Sequence, residues 1–139
     1  MELTDCQKVQ LKKIAGKHRL TLIIAFGSEV TNATHSESDL DIAVLSGKNE
    51  VSFQDFTGLA SALGKVFPGK EIDLCFINRA DPLLLKKISE TPYLLYGRRR
   101  SFEEFRCYAF RRYEDYKPYF KLEEQFVRRS LKELRLAHR

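Results

Sequence analysis

Apolar residues form several short runs along the chain, and these runs predict β-strands. Residues 20–26 (LTLIIAF) are apolar apart from one threonine and are bounded by turn signals, which is typical of a buried strand. Residues 39–45 (DLDIAVL) alternate between two faces and predict a second strand. Residues 71–77 (EIDLCFI) predict a third, and residues 93–96 (YLLY) a short edge strand.

Between these runs, apolar residues recur every three or four positions, which predicts helices with one buried face. Thr4 and Gln7 form a capping box, so a helix is expected from there to about Lys17. Asp81 before Pro82 predicts the start of another helix, because Asp caps well and Pro suits the first helical position. The helix that precedes Pro68-Gly69 has an apolar stripe formed by Phe53, Phe56, Ala60, Leu63 and Phe67.

The C-terminal third predicts a helical extension. Ser101 and Glu104 read as a capping box that opens a helix, and Pro118 is expected to kink or restart it. We expect the main apolar stripe of this extension to pack on the sheet. The stripe consists of Phe102, Phe105, Ala109, Tyr113, Tyr116, Phe120, Val127, Leu131 and Leu134.

The order of these elements predicts an α/β (α+β) fold in which a small mixed β-sheet is packed by helices. A chain of 139 residues favours a single domain. We expect the sheet domain to occupy residues 1–97, and residues 98–139 to form a C-terminal helical extension of the same domain.

Charge is distributed unevenly along the chain. The net charge is +5, yet residues 98–139 contain 13 Lys and Arg against 7 Asp and Glu, while residues 1–97 contain 11 against 12. The excess of +6 in the extension predicts an acidic or anionic partner there. The sequence contains no apolar run long enough to span a bilayer, no secretory signal and no C-x-x-C pair. We therefore expect a cytoplasmic protein without membrane contact.

Two aspartates point to metal-dependent chemistry. Asp39 and Asp41 are two residues apart on a predicted strand, so their side chains leave the same face. Paired carboxylates repel unless a cation lies between them, and hard oxygen ligands of this kind suit Mg²⁺. Asp73 on the next strand can supply a third carboxylate if the two strands pair. Glu71 shares the face of Asp73 and competes with it, although Asp73 is favoured because it lies deeper in the strand.

Gly27 and Ser28 follow the first predicted strand directly. Glycine lets backbone approach a ligand closely, and the N–H groups of such a turn can bind phosphate. The spacing from Gly27-Ser28 to Asp39-x-Asp41 resembles the signature of the DNA polymerase beta superfamily of nucleotidyltransferases, in particular its minimal (MNT) branch. The chain departs from the family pattern at Thr31 and Asn32, where a basic residue and a glycine are common.

The resemblance implies the transfer of AMP from ATP to a hydroxyl group, with two Mg²⁺ ions held by Asp39, Asp41 and Asp73. The resemblance also implies that Asp73 accepts the proton of the acceptor hydroxyl. It further implies that Gly27 and Ser28 bind the β- and γ-phosphates of ATP. Many MNT proteins are antitoxins that adenylylate a tyrosine of a separate HEPN ribonuclease toxin, so such a toxin is the partner implied. Two alternatives are a small-molecule nucleotidyltransferase, of the aminoglycoside type, and a non-catalytic module that neutralises its partner by contact.

Several aromatic residues of the extension fall outside its main stripe. They are interleaved with arginines, a composition typical of a protein interface. An RNA-binding surface can look similar, and so can a solvated amphipathic helix, but we predict a protein partner. The off-stripe aromatic residues are Tyr108, Phe110, Tyr119 and Phe126, and the arginines are Arg106, Arg111, Arg112, Arg128 and Arg129.

Overall fold

The computed structural model describes residues 1–27, 39–48 and 50–137. Its four strands form one sheet in the order β3-β2-β1-β4. Strand β1 is antiparallel to both of its neighbours, β2 and β4, whereas β2 is parallel to β3. The predicted mixed sheet is therefore confirmed, with the bounds β1 Leu20–Phe26, β2 Leu40–Ser46, β3 Ile72–Phe76 and β4 Tyr93–Tyr96.

Helices cover both faces of the sheet. On one face, α1 and α2 pack against alternate strand residues such as Ile23 and Ile42. On the other face, α3 and α4 pack against Ile24 and Ala43. Strand β1 is central and buried on both faces, which explains its continuous apolar sequence. The helices are α1 Asp5–His18, α2 Phe53–Val66, α3 Pro82–Glu90 and α4 Arg99–Ala137, with a single 3₁₀ turn at Ile77–Arg79.

Two of the predicted helix starts are confirmed by side-chain hydrogen bonds. The Thr4 hydroxyl accepts from the Gln7 N–H at 3.1 Å, and the Gln7 side chain accepts in return from the Thr4 N–H at 3.0 Å. The Asp81 carboxylate accepts from the Leu84 N–H at 2.8 Å. These bonds satisfy N–H groups that a helix start leaves without an intrahelical partner.

The stripe predicted for α2 was wrong at one end. Phe53 is 80% exposed, whereas Leu59 is buried in the core. The start of α2 is fixed by a capping box between Ser52 and Asp55 that the sequence reading had missed. Phe53, as the first residue of the helix, lies on a turn that the capping box holds at the surface.

The start predicted for the C-terminal helix was also wrong. The Phe102 N–H donates to the carbonyl of Arg98 at 3.1 Å, so the first turn is already closed before Ser101 could cap it. The helix also continues through Pro118 without restarting. Proline removes one backbone donor, but the turns on either side keep their own hydrogen bonds.

Only the first third of the predicted stripe packs on the sheet. Phe102, Phe105 and Ala109 are buried, whereas Val127 and Leu131 are more than half exposed. The reason is length, because α4 is a single helix of 39 residues and extends beyond the small sheet. No helix in the described part of the chain is long and apolar enough to cross a membrane.

Candidate active site

Strand pairing brings the predicted site residues to one end of the sheet. Because β1 and β2 are antiparallel, the end of β1 lies beside the start of β2, and Phe26 pairs with Asp41. Because β2 and β3 are parallel, their starts align, and Asp41 is in register with Asp73. A hydrogen bond of 2.8 Å from the Leu40 N–H to the Glu71 carbonyl fixes this register.

Asp41 is at the centre of the carboxylate group. Burial raises the pKa of Asp41, and the hydrogen bond and negative charge of Asp73 raise it further, with a smaller contribution from Asp39. The Asp41 side chain is half-buried, while Asp39 and Asp73 are exposed. Neighbouring carboxylates repel each other, and a cation between Asp41 and Asp73 would relieve that repulsion.

The structure separates the two candidates for the third carboxylate by position. Asp73 is in register with Asp41 on the neighbouring strand and raises the pKa of the Asp41 carboxyl. Glu71 lies one residue before β3, is exposed, and contributes its backbone carbonyl to the pairing of the strands. The choice of Asp73 over Glu71 as the third carboxylate stays a prediction.

Gly27 forms the wall of the site next to Asp41. Its φ is +81°, and a Cβ atom at this position would lie 2.5 Å from the Oδ2 atom of Asp41. The positive φ therefore favours glycine, and a Cβ atom here would also force the Asp41 carboxylate to shift. Ser28, Thr31 and Asn32 lie outside the described residues.

Lys87, which the sequence did not indicate, and Cys75, on the same strand as Asp73, also lie near the carboxylates. The positive charge of Lys87 on α3 favours the ionised form of Asp41, opposing the effects that raise its pKa. Burial, together with the charges of Asp73 and Asp41, raises the pKa of the Cys75 thiol to about 12. Lys87 could have been found only by knowing which face of the sheet α3 covers, and Cys75 is too weakly acidic to act as a nucleophile.

The donor set fits a hard divalent cation. Asp41 on β2 and Asp73 on β3 provide neighbouring carboxylates, and Asp39 lies one residue before β2. Within the ranges the structure describes, no group of three or more His, Cys, Asp or Glu side chains is arranged so that it could hold a metal ion. The fit therefore rests on the carboxylate chemistry of the Asp41–Asp73 pair alone.

Comparison with known proteins agrees with this arrangement. The family model described as polymerase beta, nucleotidyltransferase, matches residues 9–101. A chain in the crystal structure of a toxin–antitoxin complex with AMP-PNP superposes with a TM-score of 0.69 and 23% identity, covering 90% of this chain and 98% of that one. No curated protein matches the chain by sequence.

Two further solved structures show the same fold. One contains the tri-AMPylated HEPN toxin of Shewanella oneidensis in complex with MNT antitoxin, with a TM-score of 0.65, 21% identity, and coverage of 91% of this chain and 97% of that one. The other is the MntA–HepT toxin–antitoxin complex, with a TM-score of 0.65, 21% identity, and coverage of 93% and 99%. The family match spans 93 of the 139 residues and includes Gly27 and all three aspartates. The chain belongs to the polymerase beta family of nucleotidyltransferases.

Proposed function

We propose that this protein transfers AMP from ATP to the hydroxyl group of a tyrosine on a partner HEPN ribonuclease toxin, and that it acts as the antitoxin of that pair. The observation that carries the proposal is the in-register pair Asp41 and Asp73, placed against the backbone of Gly27 at one end of the sheet. Clustered carboxylates beside a glycine turn are suited to phosphoryl chemistry that depends on positioning and charge neutralisation.

Each residue has a distinct role in this proposal. The acceptor oxygen attacks the α-phosphorus of ATP, the bond to the β-phosphate breaks, pyrophosphate leaves, and Asp73 takes the acceptor's proton. Gly27 and Ser28 hold the β- and γ-phosphates through backbone N–H groups and a hydroxyl. Asp39, Asp41 and Asp73 would hold two Mg²⁺ ions, which when bound neutralise charge on the triphosphate.

Lys87 adds a positive charge that the turn itself lacks. The sequence carries Thr31 and Asn32 where relatives commonly carry a basic residue and a glycine. Lys87 is close enough to Asp41 and Cys75 to oppose the rise in pKa of both. We assign Lys87 to stabilising the negative charge that develops on the phosphates during transfer.

The choice of a protein acceptor is supported by the solved structures. One similar chain comes from a complex of a tri-AMPylated HEPN toxin with MNT antitoxin, and another comes from a toxin–antitoxin complex with AMP-PNP. Those chains are matched over nearly their whole length. The exposed part of α4 offers a surface for such a partner, because Tyr119 and Phe126 are 58% and 71% exposed.

The proposal is tested by label transfer. The protein is incubated with ATP labelled at the α-phosphate, Mg²⁺ and a HEPN protein encoded beside it, and Asp41→Asn serves as the inactive control. We expect label on the HEPN protein with the wild type alone. The same incubation is repeated with a cell lysate in place of the HEPN protein. Label found only in the small-molecule fractions would support the small-molecule alternative instead.

The second candidate function is neutralisation of the toxin by binding alone, without AMP transfer. It is favoured by Thr31 and Asn32, which stand where the family pattern commonly has a basic residue and a glycine. The two functions differ in their dependence on Asp41. If Asp41→Asn rescues cells from the toxin as well as the wild type does, the protein neutralises by binding. Loss of rescue with retained complex formation supports adenylylation.

A further inference from the structure

A second pocket lies at the end of the sheet opposite to the carboxylates. It has a volume of about 630 Å³ and lies between α1, β4 and the first turn of α4. The start of β1 borders the pocket, while the end of β1 leads to Gly27. Seven strand residues at about 3.3 Å each place the two sites roughly 20 Å apart, so the pocket is not part of the proposed catalytic site.

The lining of this pocket is basic. Lys8 and Lys12 lie one helical turn apart on the same side of α1, and Arg98 faces them from the start of α4. No carboxylate lines the pocket. None of these three cations forms an ion pair with any residue that the structure describes, although the next two arginines of the chain pair with Glu103 and Glu104.

This arrangement costs stability in the absence of an anion. Like charges four residues apart on a helix, such as Lys8 and Lys12, repel each other. The first turn of α4 contains no acidic residue that could offset Arg98. A bound anion would relieve this repulsion directly.

The backbone at Gly97, which lines the pocket, lies close to the start of β1. Gly97 has a φ of +130°, and a Cβ atom there would lie 2.7 Å from the carbonyl oxygen of Thr21 and 2.6 Å from a methyl carbon of Leu22. The backbone of β4 is thus pressed against the start of β1. Tyr96 and Ser101, whose side chains carry hydroxyl groups, also line the pocket.

We propose that this pocket binds a phosphate-bearing anion of nucleotide size. Its volume lies within the range of about 300–1,000 Å³ that small-molecule sites occupy. Lysine ammonium groups and an arginine fork are the groups that bind phosphate oxygens, and the hydroxyl groups can donate to the same oxygens. The inference does not depend on the proposed transferase activity.

Residue-resolved NMR titration tests the proposal. Pyrophosphate and ATP are each added to the ¹⁵N-labelled protein in EDTA, without Mg²⁺. We expect saturable shifts of the Tyr96, Gly97 and Ser101 amides, and at least tenfold weaker binding in Lys12→Glu/Arg98→Glu. The control Lys121→Glu/Lys132→Glu changes the net charge equally on exposed positions of α4 and should bind like the wild type.

The two probes also identify the source of the phosphate. Tighter binding of ATP than of pyrophosphate assigns the pocket to a nucleotide, and equal binding assigns it to the phosphates alone. Absence of saturable shifts in the pocket would overturn the proposal. So would equal weakening by both double variants, which would show attraction by net charge, or loss of the shifts in Asp41→Asn/Asp73→Asn, which would place the anion at the carboxylates.

Discussion

The contact between Gly27 and Asp41 makes the site sensitive to a single methyl group. Gly27→Ala would place its Cβ atom 2.5 Å from Oδ2 of Asp41, at a φ of +81°. We expect the variant to lose at least tenfold in AMP transfer and about 1–3 kcal/mol in the free energy of unfolding, because L residues are strained there. Label transfer and urea unfolding measure the two effects.

A helical glycine provides the matched control. Gly64 lies within α2, and a Cβ atom there meets nothing within 4 Å. Gly64→Ala should leave transfer unchanged and stabilise the protein by up to about 1 kcal/mol, because alanine favours helix. Equal activity of both variants would contradict a role for the close approach at Gly27.

The raised pKa of Asp41 predicts how the effect of Asp41→Asn on the free energy of unfolding depends on pH. A carboxyl group whose pKa is raised in the folded protein contributes stability that is fully present below its ordinary value of 3.8. That stability is lost as the pH rises through the folded value, so ionised Asp41 weakens the ligand-free protein at pH 7. Asp41→Asn should therefore be more stable than the wild type at pH 7, by less than about 1 kcal/mol for a partly exposed group.

Thermal unfolding between pH 4 and pH 7 tests this sign. The stability difference between Asp41→Asn and the wild type should shrink toward pH 4, and AMP transfer should fall at least a hundredfold at pH 7. Asp115→Asn on the exposed side of α4 is the control and should show neither effect. A variant that is less stable than the wild type at pH 7 would show that Asp41 is held by favourable contacts instead.

Comparing substitutions of the adjacent lysines Lys86 and Lys87 on α3 distinguishes a charge effect at the site from a structural effect. Lys87 favours the ionised form of Asp41, whereas Lys86 lies 3.6 Å from Glu90 and 3.3 Å from the Tyr113 hydroxyl. Lys87→Gln should lower kcat/KM for ATP about tenfold and move the acid limb of the pH–rate profile to higher pH. Lys86→Gln should change neither, and an unmoved acid limb in Lys87→Gln would remove Lys87 from the site.

At the scale of elements, α4 changes character along its length. Its first turns are buried against α3 and the sheet through Phe102, Phe105 and Ala109. A cluster of aromatic rings follows, in which the Tyr116 and Phe120 rings lie 4.6 Å apart. Beyond that cluster the apolar side chains are exposed, so this segment gains little stability from the fold and is available to a partner.

This division predicts the effect of removing the exposed aromatic residues. Tyr119→Ala/Phe126→Ala should reduce recovery of the partner protein at least tenfold at both low and high salt, since apolar contacts are weakly screened. The melting temperature should not change, because both residues are exposed. Co-purification from the native host measures the loss, with Glu123→Ala/Lys132→Ala as the control.

An RNA-binding extension would behave differently. Binding through the +6 segment would rest on phosphate contacts and would weaken steeply with salt. Filter binding with RNA at two salt concentrations makes this comparison. Tight, salt-sensitive RNA binding without a retained protein would replace the partner proposal with an RNA-directed activity.

At the scale of the whole molecule, the two ends of the sheet carry opposite charge. The carboxylates gather where β1 ends, while Lys8, Lys12 and Arg98 surround the end where β1 begins. The net charge of +5 does not reveal this uneven distribution of charge between the two ends of the sheet. Ligands at the two ends should therefore respond to different substitutions.

A non-hydrolysable ATP analogue with Mg²⁺ should stabilise the whole protein by binding its folded state. At a concentration of 100 times the dissociation constant, the expected gain is about 2.7 kcal/mol. Asp41→Asn should lose the part of this gain that requires Mg²⁺, whereas Lys12→Glu/Arg98→Glu should keep that part. Differential scanning fluorimetry measures the shifts, and an equal response of both variants would contradict two separate sites.

The sequence by itself determined the local features of this protein. The period of the apolar residues predicted all four strands, and the side chains of Thr4 and Asp81 predicted two helix starts, because these signals depend on neighbouring residues. The spacing from Gly27 to Asp39 and Asp41 indicated the family for the same reason. Local rules failed where distant packing decides, as at Phe53, which a regular stripe placed in the core although it is exposed.

Only the tertiary structure decided which distant residues meet. The parallel register of β2 and β3 brings Asp73 to Asp41 across 31 intervening residues, and the packing of α3 brings Lys87 to the same carboxylates. Strand order placed Lys12 and Arg98 around one pocket at the opposite end. Such contacts depend on how sheet and helices bury their apolar faces together, which no local pattern of residues specifies.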